Sequence, residues 1–245
     1  MRGFLLALRF LMIIPLGRAG TVDEGDITRS VSYYPVVGML QGGILVGSAL
    51  VLGRWFTGGL LSCILVLILV LTNGGFHLDG FMDTVDGVAG GSDKESRLRI
   101  MSDPNAGAVG VVFTFFIIAL KVLALAAMPA ASLITALFLW PILGRWSIVP
   151  LALFSDYARE GAGLGRAVTE IGWREFLTAT LITLALFFYP LGLWAFPVLV
   201  FTGGVAFVVS LFLRTRLGGV TGDVFGFQSE ISEVFFLLFF LIITC

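Results

Sequence analysis

From Phe176 to Leu213 the chain runs for 38 residues without an Asp, Glu, Lys, Arg or His. A helix that crosses the hydrocarbon of a bilayer needs about 20 apolar residues, so this one run is long enough for two short passes. Pro190 and Pro197 sit where a hairpin would turn. Composition points the same way. Of 245 residues, 58% are hydrophobic and 13% are charged, against ~25% charged in an ordinary soluble domain. A soluble domain of this length cannot hide that much apolar surface. A disordered chain is excluded with it. So is a nucleic-acid-binding domain, because a net charge of −1 leaves no basic excess to hold a phosphate backbone. Long continuous runs rather than short alternating ones disfavour an outer-membrane barrel. The expected fold class is all-α: a polytopic integral membrane helical bundle of about six or seven transmembrane helices, one domain over residues 1–245.

Stretches without charge set the spans near residues 30–53, 55–76, 104–128, 130–154, 176–190, 197–213 and 229–245, with Lys121 and Arg145 as interruptions. Met1 to Pro15, with Arg9 in its middle, reads as an amphipathic or re-entrant segment rather than a cleaved signal. Seven spans place the loops on alternate sides. One side receives the N-terminus and residues 77–103, 155–175 and 214–233. Twelve bases, Arg18 among them, fall on that side and only Arg54 on the other. By the positive-inside rule the first side is cytoplasmic, which makes this a multi-pass protein of the cell (inner) membrane. All sixteen acids are expected on the same side, so the active site belongs there too. Cys63 and Cys245 form no CxxC pair and read as small hydrophobes. Glycine pairs within spans suit close helix packing in lipid, whereas Gly74–Gly75, Gly90–Gly91 and Gly218–Gly219 stand at span ends, where they shape loops.

The chemistry concentrates in Gly74-Gly-Phe-His-Leu-Asp-Gly-Phe-Met-Asp-Thr-Val-Asp-Gly-Val88. Asp79, Asp83 and Asp86 are spaced i, i+4, i+7 and share one face of a helix. Like charges at that spacing repel, so three aspartates beside Leu78, Phe81, Met82 and Val85 are not there for stability. A divalent cation accounts for them: Mg²⁺ takes one or two carboxylates, keeps waters, and draws its remaining ligands from phosphate. A second constellation follows Leu217-Gly-Gly-Val-Thr-Gly-Asp223, with Thr221 and Asp223 in a glycine-rich turn and Glu230 and Glu233 at the start of the last span. The two clusters could hold two metals about a transferring phosphoryl group. Alternatively, Glu230 and Glu233 simply charge a helix N-terminus, as the macrodipole favours. His77, the lone histidine, is either a hydrogen-bonded structural group or a general base or phosphate contact. Asp103 either caps the third span, with Pro104 at its first helical position, or works on metal or phosphate. Arg145 is placed near the cytoplasmic end of its span, within reach of a phosphate. Lys121 is placed nearer the far face, where it either snorkels or serves function.

These segments resemble the cobalamin synthase family, the adenosylcobinamide-GDP ribazoletransferases. The likeness is closest at Gly74–Val88, where His77-Leu-Asp-Gly-x-x-Asp83-x-x-Asp86-Gly is a specific string. It continues at Tyr34–Gly38, Arg99–Asp103, Gly107–Gly110, Gly144–Trp146 and Leu217–Asp223, with Glu230 and Glu233. The resemblance implies a transferase that joins adenosylcobinamide-GDP to α-ribazole or its 5′-phosphate and releases GMP, with Mg²⁺ as cofactor. It implies metal and pyrophosphate roles for Asp79, Asp83 and Asp86, with His77 alongside. The family often carries a Lys-Asp-Ser-Arg-like run near the third span. This chain has Ser102-Asp-Pro-Asn105 there, and Arg97, Arg99 or Arg145 is left to contact phosphate. Ile13-Ile14-Pro15 likewise stands where an Arg often precedes Ile-Pro.

The expected partners are those two substrates and the lipid bilayer, with no nucleic acid, and an oligomer is compatible with them. Two other Mg²⁺-dependent membrane transferases compete, a CDP-alcohol phosphotransferase and a UbiA-like prenyltransferase. The first expects Asp-Gly-x-x-Ala-Arg, where this chain has Phe81-Met-Asp-Thr after Asp79-Gly80. The second expects two Asp-rich loops, and Asp223 lacks close acidic neighbours. A transporter subunit would suit Lys121 and Arg145 but predicts polar groups on both faces or through the midplane, plus inverted repeats, against the one-sided acids and the lack of visible repeats.

Overall fold

The structure is a computed structural model that describes residues 2–13, 22–161 and 163–244. Arg18, Ile14, Pro15 and Cys245, which entered the sequence reading, lie outside the described residues. Among the described residues there are twelve α-helices and no β-strand beyond one isolated bridge. In chain order they are α1 (Arg2–Leu11), α2 (Glu24–Ser30), α3 (Tyr34–Leu52), α4 (Gly58–Asn73), α5 (Phe76–Gly90), α6 (Lys94–Ile100), α7 (Ala108–Ala127), α8 (Ala130–Leu153), α9 (Leu164–Thr169), α10 (Trp173–Leu191), α11 (Ala195–Leu217) and α12 (Gly222–Thr244). The architecture is the expected all-α membrane bundle. Five stretches are long and apolar enough to cross a membrane, or six if α4 and α5, bent by 89°, form one broken span.

α8 is the central helix and is almost wholly buried. α3 lies closest to it because glycines remove the side chains between them. A Cβ on Gly38 would stand 2.6 Å from the Ile142 Cα, and one on Gly42 would stand 2.3 Å from the Phe138 carbonyl oxygen. This is the small-residue packing by which helices associate in lipid, where hydrophobicity alone gives no reason to pair. α7, α10 and α11 cover the outside with exposed Phe115, Phe116, Tyr189 and Val200, an apolar surface suited to acyl chains.

The uncharged run folds back on itself. Phe187, Trp194 and Phe201 pack against Phe236, Phe239 and Phe235 of α12 in turn, so the chain descends past α12 and returns. The reversal falls at Gly192, whose φ of +57° suits a residue without a Cβ.

The charged connections gather at one end of the bundle. Arg97 Nη1 of α6 donates to the Arg216 carbonyl at 3.2 Å, and Thr28 Oγ1 of α2 donates to the Ala167 carbonyl of α9 at 2.9 Å. Tyr157 and Val220 form a parallel bridge. The helix expected for the three aspartates is present: left-handed Gly74 and Gly75 (φ +68° and +74°) turn the chain sharply out of α4 into the packed helix α5. One expected element comes out differently: the last helix begins at Gly222, so Glu230 and Glu233 lie two turns and more inside it rather than in its first turn.

Candidate active site

α5 is built to bring carboxylates against α12. Its start is pinned where Gly75 N donates to Asn73 Oδ1 at 3.0 Å. Two glycines then let backbone meet backbone. A Cβ on Gly80 would stand 2.5 Å from the Asp223 carbonyl oxygen, and one on Gly226 would stand 2.7 Å from that of His77. As α5 advances from 77 to 80, its partner on α12 retreats from 226 to 223, so the two helices run antiparallel. Phe81 stacks on Phe227 with ring centroids 5.4 Å apart and seals the apolar side of the contact.

The three aspartates of α5 share a face but not an environment. Asp79 is exposed, Asp83 half-buried and Asp86 buried. Asp79 and Asp83, with Asp103 and Asn105 from the loop before α7, line a cavity of about 310 Å³. Asp103 accepts from Asn105 N at 2.9 Å and from Asn105 Nδ2 at 2.7 Å. Those bonds favour its charged form and hold its carboxyl below the usual carboxylate range. Across from α5, Asp223 Oδ2 accepts from Arg159 Nη2 at 3.0 Å and from Thr221 Oγ1 at 3.1 Å. The arrangement is an acid-lined hollow, with the Arg159–Asp223 pair within electrostatic reach of Asp83 on its wall. It is equipped to hold a cation and a phosphate side by side.

A profile of the family described as cobalamin-5-phosphate synthase matches residues 3–241. Among curated relatives, a Thermoanaerobacter pseudethanolicus protein named adenosylcobinamide-GDP ribazoletransferase is 35% identical over 237 residues, 96% of this chain and 95% of the relative. A Desulforamulus reducens protein of the same name is 36% identical over 243 residues, 97% of this chain and 95% of its own. The chain belongs to this family. A Pseudomonas putida relative, again of that name, is 37% identical over 233 residues, 94% of this chain and 95% of its own. No solved structure matches the chain.

For a cobalamin-5-phosphate synthase family member, the other expected site residues divide sharply. Asp86 turns away from the hollow. Its Oδ2 accepts from Gly107 N at 2.9 Å and its Oδ1 from Gly110 N at 2.8 Å, so it caps α7. Asp103 does not cap that helix, which starts later than Pro104, with Gly107 at the N-cap. Glycine at 107 and 110 leaves room for that carboxylate, since a Cβ on either would stand 2.4 Å or less from an Asp86 oxygen. His77 is 1% exposed beneath the acidic face, and its Nδ1 is buried without a partner. Arg97 spends its guanidinium on the Arg216 and Ser92 carbonyls, and Arg99 is exposed on α6 outside the cavity lining.

Glu230, Glu233 and Arg145 are not part of the hollow at all. Lys121 Nζ lies 2.6 Å from Glu230 Oε2 and 2.5 Å from Glu233 Oε2. Arg145 Nη1 lies 2.9 Å from Glu233 Oε1 and 2.7 Å from Ser229 Oγ, and Trp140 Nε1 donates to Glu233 at 2.8 Å. All four charged groups are buried, and two cations balance two carboxylates. Both Glu233 oxygens and one Glu230 oxygen are already bonded to buried cations or Trp140, which places these glutamates and Arg145 apart from the acid-lined hollow. Of the two readings of Lys121, snorkelling is excluded, because its ammonium is buried against Glu230 and Glu233.

Nothing in the local sequence singles out Arg159. It stands in the loop after α8, and its only advance signal was its place on the basic side.

Among the described residues no three His, Cys, Asp or Glu groups converge closely enough to enclose a metal ion. Mg²⁺ does not need such a cage, because it is bound through one or two carboxylates plus substrate phosphates and water. Asp79 and Asp83, one helical turn apart on the cavity wall, fit that requirement.

Proposed function

We propose that the chain joins adenosylcobinamide-GDP to α-ribazole or its 5′-phosphate and releases GMP, at the cytoplasmic face of the cell membrane. The observation that carries the reading is the hollow lined by Asp79, Asp83 and Asp103, with the Arg159–Asp223 pair within electrostatic reach of Asp83. Family membership supports the substrates. The positive-inside asymmetry supports the side.

Phosphoryl transfer asks little covalent chemistry of a protein and much positioning and charge neutralisation. A ribose hydroxyl of the nucleoside attacks the phosphorus on the cobinamide side. A new P–O bond forms, the bond to the GMP oxygen breaks, and the hydroxyl proton passes to a carboxylate. Asp79 and Asp83 would hold Mg²⁺, which supplies counter-charge to the pyrophosphate oxygens when bound. A carboxylate of the hollow that does not hold the metal is better placed to take the proton than the buried His77. Asp103, kept ionised by Asn105, adds to the negative field that attracts the cation. Gly80 and Gly226 set the width of the site by fixing α5 against α12.

The test is turnover by purified protein in liposomes with Mg²⁺, adenosylcobinamide-GDP and α-ribazole 5′-phosphate. GMP release is expected, along with its loss on chelation. Turnover of a CDP-alcohol or a prenyl diphosphate without GMP release overturns the reading.

A further inference from the structure

Resting on the phosphoryl-transfer reading above, we propose that Arg159 is the phosphate-binding side chain of the site, bridging Asp223 and the pyrophosphate oxygens of the nucleotide donor.

The first argument is rigidity. Ala158 N donates to the Val220 carbonyl at 2.8 Å, and Val220 N donates to the Asp156 carbonyl at 2.9 Å. These bonds tie the Arg159 loop to the turn that carries Thr221 and Asp223. Gly219 makes the close approach possible, since its φ is +152° and a Cβ there would stand 2.3 Å from the Asp156 carbonyl oxygen. The Arg159 carbonyl accepts from Arg166 Nη2 at 3.1 Å, and the Arg166 guanidinium lies 5.7 Å from the Tyr157 ring centroid. Loop and turn are therefore one unit, and the guanidinium is delivered to α12 rather than left to wander.

The second argument is unspent donor capacity. A guanidinium carries five N–H donors in a planar fork that matches two phosphate oxygens. Nη2 is on Asp223, whereas Nε is buried with no protein partner. The side chain is 34% exposed, so part of it still reaches incoming ligand. A guanidinium meant only to neutralise Asp223 would present its fork to the two carboxylate oxygens. Here one contact is made.

The third argument is the charge around it. Asp83 lies within electrostatic reach of Asp79, Asp86, Asp223 and Arg159. A pyrophosphate entering among four carboxylates needs a fixed cation of the protein as well as a metal. Among the other arginines, Arg97 bonds two carbonyls and Arg145 is sealed in the bundle against Glu233, whereas Arg159 is the one paired with Asp223. The anionic partner recognised is a nucleotide pyrophosphate.

The experiment compares wild type, Arg159→Lys, Arg159→Gln and Arg159→Ala in proteoliposomes. KM and kcat are measured separately for donor and acceptor, and binding of inorganic pyrophosphate with Mg²⁺ is measured by calorimetry. Arg159→Ala should lower kcat/KM for the donor about 10–100-fold, the scale of a charge-assisted bidentate contact, and weaken pyrophosphate binding in parallel. Acceptor KM should hold within twofold. Arg159→Lys, which keeps the charge and loses the fork, should recover part of the loss, and Arg159→Gln should recover none. Unchanged pyrophosphate affinity in folded Arg159→Gln, or an equal loss for donor and acceptor, overturns the proposal. If wild type releases no GMP yet binds pyrophosphate in an Arg159-dependent way, the anion site stands and the assigned reaction falls.

Discussion

Asp223 and Glu233 lie ten residues apart on α12, about 15 Å along its axis. At the first turn, Asp223 is partly exposed, lies within electrostatic reach of Asp83 and Asp79, and meets one partly exposed arginine. Glu233, deep in the bundle, has its oxygens committed to Lys121, Arg145 and Trp140. One group is over-supplied with negative charge and open. The other is balanced and closed. Acid content therefore does not mark function in this chain; unspent acid does. Excess charge is tolerable where water reaches it, and at membrane depth every carboxylate has to be matched.

The contrast can be broken at either pole. Removing Glu233 should be the most damaging change. Glu233→Ala leaves Arg145 buried without a carboxylate and should cost about 3–5 kcal/mol, read as loss of the folded fraction in detergent. The paired change Lys121→Met with Glu230→Gln, which deletes opposite charges together, should cost clearly less. If it costs as much, the closed group is not a balanced ion network. Asp83→Asn should do the reverse: GMP release falls on the order of 10²–10³-fold, while the thermal midpoint holds or rises because a like charge is gone. Full activity in that variant ends the argument for the open group. Gly80→Ala comes next, since its Cβ meets the Asp223 carbonyl oxygen at 2.5 Å. Prying α5 from α12 should cost about 1–3 kcal/mol and lower activity more than stability. Thr221→Val should be mildest, at about 0.5–1.5 kcal/mol; a null effect on donor KM would show that Thr221 orients Asp223 and does nothing further.

The bundle, its apolar hairpin and the helical face of Asp79 and Asp83 are legible in the sequence because each follows from local pattern: run length, proline position and i, i+4 spacing. What is not legible depends on partners far along the chain. Asp86 looks equivalent to Asp83 until α7 arrives and offers it Gly107 N and Gly110 N. Glu230 and Glu233 look like an exposed helix start, because charge normally ends a span, until Lys121 is found 109 residues from one and 112 from the other. Arg159 has no motif around it. Its placement comes from the pairing of residues 156–158 with Val220.

The sealed ion group also constrains the order in which this protein is made. Lys121 enters the bilayer when α7 is synthesised, and its carboxylate partner Glu230 is 109 residues away. At about 5–20 residues per second, that is about 5–20 seconds with a bare ammonium ion in the membrane. α7 can bear it because a lone lysine at mid-helix costs about 2.5–3.5 kcal/mol on insertion, while each Leu, Ile, Val or Phe returns about 0.3–0.6 kcal/mol. α12, which carries both glutamates, arrives last and finds its counter-charges already waiting. Its docking, which also delivers Asp223 to α5, is the step at which the chain becomes both neutral inside and equipped at its surface.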